Sequence, residues 1–268
     1  LSTSSEQTAE LGHFSDVDSS AGAAKLVAFI EHAENMAPIP ALRERSYDLL
    51  GVRPGHRVVD VGCGAGISVA ELAKRGAEVM GVDPSEGMIN VARERFPDCD
   101  YGVAGAERLP LADASADGYR AERVYQHLAD SQVAITEARR VLKTGGRIVL
   151  IDIDADGWCV DSDDKDLTRT LLRAFADTIS NPWSGRKLRG LLLDNGFTDV
   201  EAEAFTCVYT KYSDCVHVLE SIAKAGVDAG AVSREQADGW LAEQRERSER
   251  DRTFVHGPLL VAAGVKTA

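Results

Sequence analysis

Two hydrophobic rhythms alternate along the middle of this chain. Arg57–Val61 and Glu78–Val82 are short β-rich runs, the first ending at glycines and the second at Asp83. Between them, residues 67–75 place Val69, Leu72 and Ala73 on one side of a helix. The same order recurs: a helix over 86–95 closed by Pro97, a strand at 101–104, a strand at 116–121 interrupted by Gly118 and Arg120, and a helix over 131–142. Gly145-Gly146 then turns into Arg147-Ile-Val-Leu-Ile-Asp152, the clearest strand pattern in the chain. Short apolar runs bounded by turn residues read as buried strands, and apolar positions three or four apart read as amphipathic helices. Strict alternation of the two predicts a mostly parallel sheet with helices on both faces.

The flanking regions read differently. Residues 1–20 are expected to be a flexible tail, and 21–50 a helical cap in two pieces, Ala24, Leu26, Val27, Ile30 and Ala33 marking the first and 41–50 the second. The core follows over 51–155. Over 156–268 we expect helices at 166–179 and 187–194, a strand at 200–209 and a last strand at 258–265. Between those strands lies mostly helical sequence, about residues 211–254. An insertion of that length is seldom an idle connection. It is read as a lid or pocket wall.

The chain has 268 residues and 44% hydrophobic content, enough for a sizeable core. A net charge of -13 argues against a phosphate backbone or an anionic lipid surface as partner, so neither nucleic acid nor membrane is expected. No apolar run reaches the length of a membrane-spanning helix. The five cysteines are scattered, with no CxxC pair. That argues against a disulfide framework or a zinc site and for a cytoplasmic setting. No metal ligand set is expected, and monomer and homodimer both stay open.

The strongest chemical signal is Val58-Val-Asp-Val-Gly-Cys-Gly-Ala-Gly-Ile67, a strand, a glycine turn and a helix start. Gly62, Gly64 and Gly66 remove side chains where a ligand approaches the backbone, and a helix N-terminus offers free amides to an anionic group. The third glycine comes one residue too early for a dinucleotide fingerprint, which counts against an NAD-dependent dehydrogenase. Asp83, about twenty residues on at the next strand end, can accept hydrogen bonds from both hydroxyls of a ribose.

These motifs resemble those of class I S-adenosylmethionine (SAM)-dependent methyltransferases, in family order across residues 43–153. Asp60–Gly66 is similar to the first motif and Asp83-Pro84-Ser85 to the second. Ala106-Glu-Arg-Leu-Pro110 resembles the adenine-holding segment, and Arg139–Arg147 the helix and turn before the fifth strand. Arg120-Ala-Glu-Arg-Val-Tyr-Gln-His-Leu128 resembles the quinone-biosynthesis-like, small-molecule branch. The resemblance implies a three-layer Rossmann-like fold, a seven-stranded mostly parallel sheet with an antiparallel last strand, and SAM as cofactor. It implies that Asp60, Gly62, Gly64 and Gly66 line the methionine portion, that Asp83 with Pro84 holds the ribose, and that Met88, Ala106 and Glu107 flank the adenine. Glu122 and Arg123 would stand at the methyl-donor end. Gly105 departs from the Asp that many members carry there.

Several residues keep two readings. Arg45 is a partner for the methionine carboxylate or a solvated helix charge. His127 is a general base, since imidazole accepts protons near neutral pH, or a brace for its loop. Tyr125 relays a proton or packs. Asp152, Trp158, Trp183 and His256 are substrate-binding candidates or, in turn, a strand-end carboxylate, pocket wall, helix connection and surface residue. Asp161, Asp163 and Asp164 form an acidic run read as solvated surface. The expected function is methyl transfer to a small molecule, secondary metabolites being one class of acceptor. The alternative is a methyltransferase-fold protein that binds SAM without transferring methyl.

Overall fold

The computed structural model describes residues 38–268. The first piece of the expected cap and the expected tail lie outside them. Helix α1 (Ile39–Leu50) leads into β1 (Arg57–Val61), α2 (Ile67–Lys74), β2 (Glu78–Asp83), α3 (Glu86–Arg95) and β3 (Asp100–Val103). Then come β4 (Ala116–Glu122), a 3-10 turn at Tyr125–His127, α4 (Ser131–Val141), β5 (Leu142–Ile153) and a two-residue β6 (Cys159–Val160). The chain ends with α5 (Lys165–Ala176), α6 (Ser184–Asp194), β7 (Phe197–Tyr209), α7 (Tyr212–Asp228), α8 (Arg234–Glu249) and β8 (Val255–Lys266).

One sheet runs in the order β3-β2-β1-β4-β5-β8-β6, with β7 also paired to β8. From β3 to β5 all pairings are parallel, and β8 is antiparallel to β5, β6 and β7. The expected architecture is therefore present, with one strand more than expected. The added β6 is too short for any periodicity to announce it. Local rules set the helix starts: Ser85, Asp130 and Asp164 accept backbone N–H bonds as N-caps, and Ser233 with Gln236 closes a capping box.

Alternation along the central strands sends side chains to two cores. Val58, Val149, Ile151 and Val261 pack with Leu42, Tyr47, Val69, Leu72 and Ile89 of α1, α2 and α3. Val59, Val61, Tyr119, Ile148 and Leu150 pack with Ile135, Ala138, Leu188 and Leu192 of α4 and α6. A third core joins Leu171 and Phe175 of α5, Leu219 and Ile222 of α7 and Trp240 of α8. Each such large side chain contributes about 1.5–3 kcal/mol by leaving water. Since α7 and α8 share this core with α5, the long insertion is a packed layer and not a loose connection. No helix among the described residues is long and apolar enough to cross a membrane.

Candidate active site

The turn after β1 needs its glycines for different reasons. Gly62, Gly64 and Gly66 have φ of 66°, 51° and 86°, the left-handed region that side chains disfavour. A Cβ at Gly62 would stand 2.4 Å from Val124 Cγ2, and one at Gly66 2.6 Å from the Tyr101 hydroxyl. At Gly64 the nearest atom is Met88 Cε at 3.8 Å, so this backbone can still be approached. The Cys63 amide donates to Val82 O at 3.0 Å and ties the turn to β2. Asp83 ends β2 beside it: Oδ2 accepts from the Gly64 amide at 3.0 Å and Oδ1 from the Ser85 amide at 2.9 Å. Pro84 is exposed next to it and Met88 is buried one turn into α3. Ala106 is buried and Glu107 exposed. Glu107 Oε2 lies 2.7 Å from where a Gly105 Cβ would be, so Glu107 occupies the space that the missing Asp side chain leaves.

Behind the turn lies a charge network that the sequence did not announce. Arg120 on β4 is fully buried, and it donates to Asp60 Oδ1 at 2.9 Å, to Ser46 Oγ at 2.9 Å and to Glu122. The register makes this possible, because Asp60 and Arg120 are direct neighbours across β1 and β4. Burial works against both charges. Asp60 and Glu122 nevertheless hold Arg120 above its ordinary pKa, and Arg120 and Arg123 hold Glu122 below its own. Asp60 thus lines the turn from beneath, its carboxylate taken by Arg120. The sequence signal was Arg120 itself, a charge inside a strand.

Arg45 requires a correction. Its Nε donates to both Glu203 oxygens at 3.0 Å. Glu203 lies on β7, beyond β4, β5 and β8 from the glycine turn. Arg43 comes two residues earlier and so projects from the opposite side of α1. It is the arginine that faces α2, where Glu71 accepts from it at 3.1 Å and from the Tyr47 hydroxyl at 2.7 Å.

The segment after β4 is sharply bent. Arg123 has φ 57°, and its amide donates to Ile151 O at 2.6 Å. Tyr125 is buried with its hydroxyl 3.3 Å from that of Tyr119, so it packs within the core and does not reach an acceptor. His127 is half-buried with Nε2 3.0 Å from Gln126 Nε2, and burial, then the Arg123 charge, lower its pKa. Its ring is therefore neutral near pH 7. Asn181 pins the turn, donating from its amide to Gln126 O at 2.9 Å and from Nδ2 to Tyr125 O at 3.0 Å.

Of its two readings, Asp152 fits the strand-end carboxylate. It is 1% exposed and accepts from the Ser184 hydroxyl of α6, so it faces the interior and not a substrate mouth. Burial pushes its carboxyl up to about 7, against the opposing effect of the Ser184 hydroxyl and the Arg123 charge.

Aromatic residues cluster where β6, β7 and α5 meet. Trp158 stacks on Tyr209 at 6.4 Å, with planes 6° apart, and meets Phe175 edge-on at 6.2 Å. Offset stacks and edge-on pairs are the arrangements that ring quadrupoles favour. Gly257 is required there, since a Cβ would stand 2.6 Å from the Trp158 ring. His256 Nε2 is 3.4 Å from Thr206 Oγ1. Trp183 is 45% exposed, donates to Asp156 and carries Arg186 over its ring at 5.0 Å, within the range of a cation–π contact. The acidic run is solvated surface, as read, and it is tied to α8 and α5. Asp161 and Asp163 accept from Arg247 of α8 at 2.7 and 2.6 Å, while Asp164 caps α5.

Residues 59–150 match the family model described as a methyltransferase domain. The chain is 32% identical over 168 residues to an O-methyltransferase of Aspergillus nomiae, covering 59% of this chain and 71% of that protein. It is 35% identical over 116 residues to a demethylmenaquinone methyltransferase of Beutenbergia cavernae, covering 43% and 48% respectively. Among solved structures, a putative methyltransferase of Bacillus halodurans superposes with a TM-score of 0.60 at 18% identity, over 84% of this chain and 99% of that one. The chain spans about half the length of most of the curated relatives it matches.

Proposed function

This chain belongs to the class I SAM-dependent methyltransferases, and from that premise we propose that it transfers a methyl group from SAM to a small-molecule acceptor. The observation that carries this reading is the join of Asp83 to the glycine turn, with the Gly64 backbone left approachable. The fit of the donor follows from charge. Asp60, Glu122 and Asp83 bring three carboxylates to the turn, set against the two guanidiniums of Arg120 and Arg123, which pair with Asp60 and Glu122. A donor with a sulfonium and an ammonium suits such a surround. Asp83 would hold the ribose, Gly62, Gly64 and Gly66 the methionine portion, and Met88, Ala106 and Glu107 the adenine. When bound, SAM supplies a methyl on a sulfonium, transferred as the carbon–sulfur bond breaks and its electron pair stays on sulfur.

The protein's own work is positioning. A reactant held in line can lower the barrier by roughly 7–11 kcal/mol without any strong acid or base. His127, neutral near pH 7, would take a proton from an acceptor that must lose one. Helices α7 and α8, with Trp158 and Tyr209, would close the acceptor side against water. Trp183 and His256 stand further out as candidates for acceptor contact. The five free cysteines suit a reducing, cytoplasmic compartment.

The test is incubation of the protein with methyl-tritiated SAM and a panel of small hydroxyl, amine and carbon acceptors, followed by chromatography of the products. Label in a small molecule supports the reading. Bound donor product with no label transferred to any acceptor would support the alternative, in which the fold binds SAM for another purpose.

A further inference from the structure

Where β4 ends, β5 loses a neighbour. The last rung of that ladder is the Arg123 amide, which donates to Ile151 O at 2.6 Å. The left-handed Arg123 backbone, φ 57°, then bends the chain out of the sheet. Along a strand the N–H and C=O groups of every second residue point to the same side. The Ile153 amide therefore points as Ile151 does, toward a place that β4 has left. The Gln126 side chain fills that place, and its Oε1 accepts from Ile153 N at 3.4 Å. A backbone N–H turned away from water needs such a partner.

That bond decides which way round the Gln126 amide lies. A backbone N–H can only donate, so the atom facing Ile153 N is the amide oxygen. The amide nitrogen faces the other way, 3.0 Å from His127 Nε2. Gln126 is 6% exposed, and its backbone oxygen accepts from the Asn181 amide at 2.9 Å. Turning the side chain over would set two donors face to face at Ile153, where burial makes an unmade hydrogen bond costly. The histidine is tied to the same turn, its amide donating to Val124 O at 2.9 Å. Val124 in turn packs on Gly62, so one segment joins the imidazole to the glycine turn.

We propose that Gln126 is a positioning residue for His127, holding the imidazole with its proton on Nδ1 and its lone pair on Nε2. A neutral imidazole has one accepting nitrogen, and the amide N–H of Gln126 selects which one it is. Burial and the Arg123 charge keep the ring neutral, so the tautomer is what remains to be set. The same contact works against the imidazolium, whose Nε2–H would meet the amide N–H head on. The consequence for catalysis rests on the methyl-transfer reading above. The base in that scheme is Nε2, and an acceptor's proton reaches it by displacing the Gln126 amide.

The test reads the ring directly. Protein carrying nitrogen-labelled histidine is examined at neutral pH by long-range proton–nitrogen NMR, which tells a protonated ring nitrogen from a bare one. His127→Asn identifies the signal by its loss. In the wild type the Nδ1-protonated form should outweigh the other by about tenfold or more, the scale of one buried hydrogen bond left unmade. Gln126→Glu keeps one oxygen for Ile153 N and turns a second toward the ring, so it should draw a proton onto Nε2. Gln126→Leu offers the ring neither donor nor acceptor and should leave a mixture of the two tautomers. A wild-type ring protonated on Nε2, or on both nitrogens, overturns the proposal, and that spectrum decides even where a variant fails to fold. So does a Gln126→Glu ring unchanged from wild type in a protein of unchanged circular dichroism. Calorimetry with S-adenosylhomocysteine on the same samples keeps the two readings apart. Absence of binding removes methyl transfer and leaves the tautomer as measured.

Discussion

Replacing Asp152 with Asn keeps the shape of a buried side chain and removes its ability to ionise. The carboxyl is 1% exposed, bonded to Ser184 and pushed up to about 7 by burial. In the unfolded chain it titrates near the ordinary value of about 4. Below pH 4 it is neutral in both states and favours neither. Between pH 4 and 7 the unfolded state releases its proton while the folded state keeps it, so stability falls as pH rises. Above 7 both states are ionised and the loss is complete. Three pH decades correspond to roughly 4 kcal/mol, an upper bound because the interior relaxes around a charge. Guanidinium unfolding of wild type and Asp152→Asn, followed by circular dichroism from pH 4 to 8, isolates this contribution from that of every other carboxylate. The difference in stability between the two proteins should move in favour of the Asn variant across that range by up to about 4 kcal/mol. A difference that stays flat with pH, or that moves toward wild type, refutes the reasoning.

Gly62→Ala should destabilise the fold by about 2–4 kcal/mol, from the contact with Val124 together with the left-handed backbone. Adding Val124→Ala should restore the packing part only, as thermal melts of the single and double variants would reveal. Arg120→Met should cost about 3–5 kcal/mol, because Asp60 and Glu122 then stay buried without their cation. Denaturant titration at neutral pH measures it, and a loss below about 1 kcal/mol would show that the pair is solvated in solution.

Most of the architecture was legible because its signals are local. The glycine turn, the Asn195-Gly196 stop after α6 and the apolar period of α4 each depend on residues close in sequence. Strand β6 was not legible, since two residues have no period and pair only because β8 passes beside them. In the site, the turn and Asp83 could be read from spacing. The partners of charged residues could not, because they join distant elements. Arg45 finds Glu203 across 158 positions, and Arg120 finds Ser46 across 74. Arg43 and Arg45 differ by two residues on one helix, yet that step reverses the face, and only packing shows which one turns toward α2. The acidic run at 161–164 likewise has no local meaning until Arg247 of α8 is brought against it.

The most direct measurement is calorimetric titration of S-adenosylhomocysteine into the wild-type protein and into Asp83→Ala. With the carboxylate at the tip of β2 gripping the sugar, the wild type should bind. The variant should keep its fold and lose at least tenfold in affinity, the scale of one hydrogen bond to a charged group at about 1.5–3 kcal/mol. Equal affinity in the two proteins, or no heat from the wild type, would contradict this reading of the site.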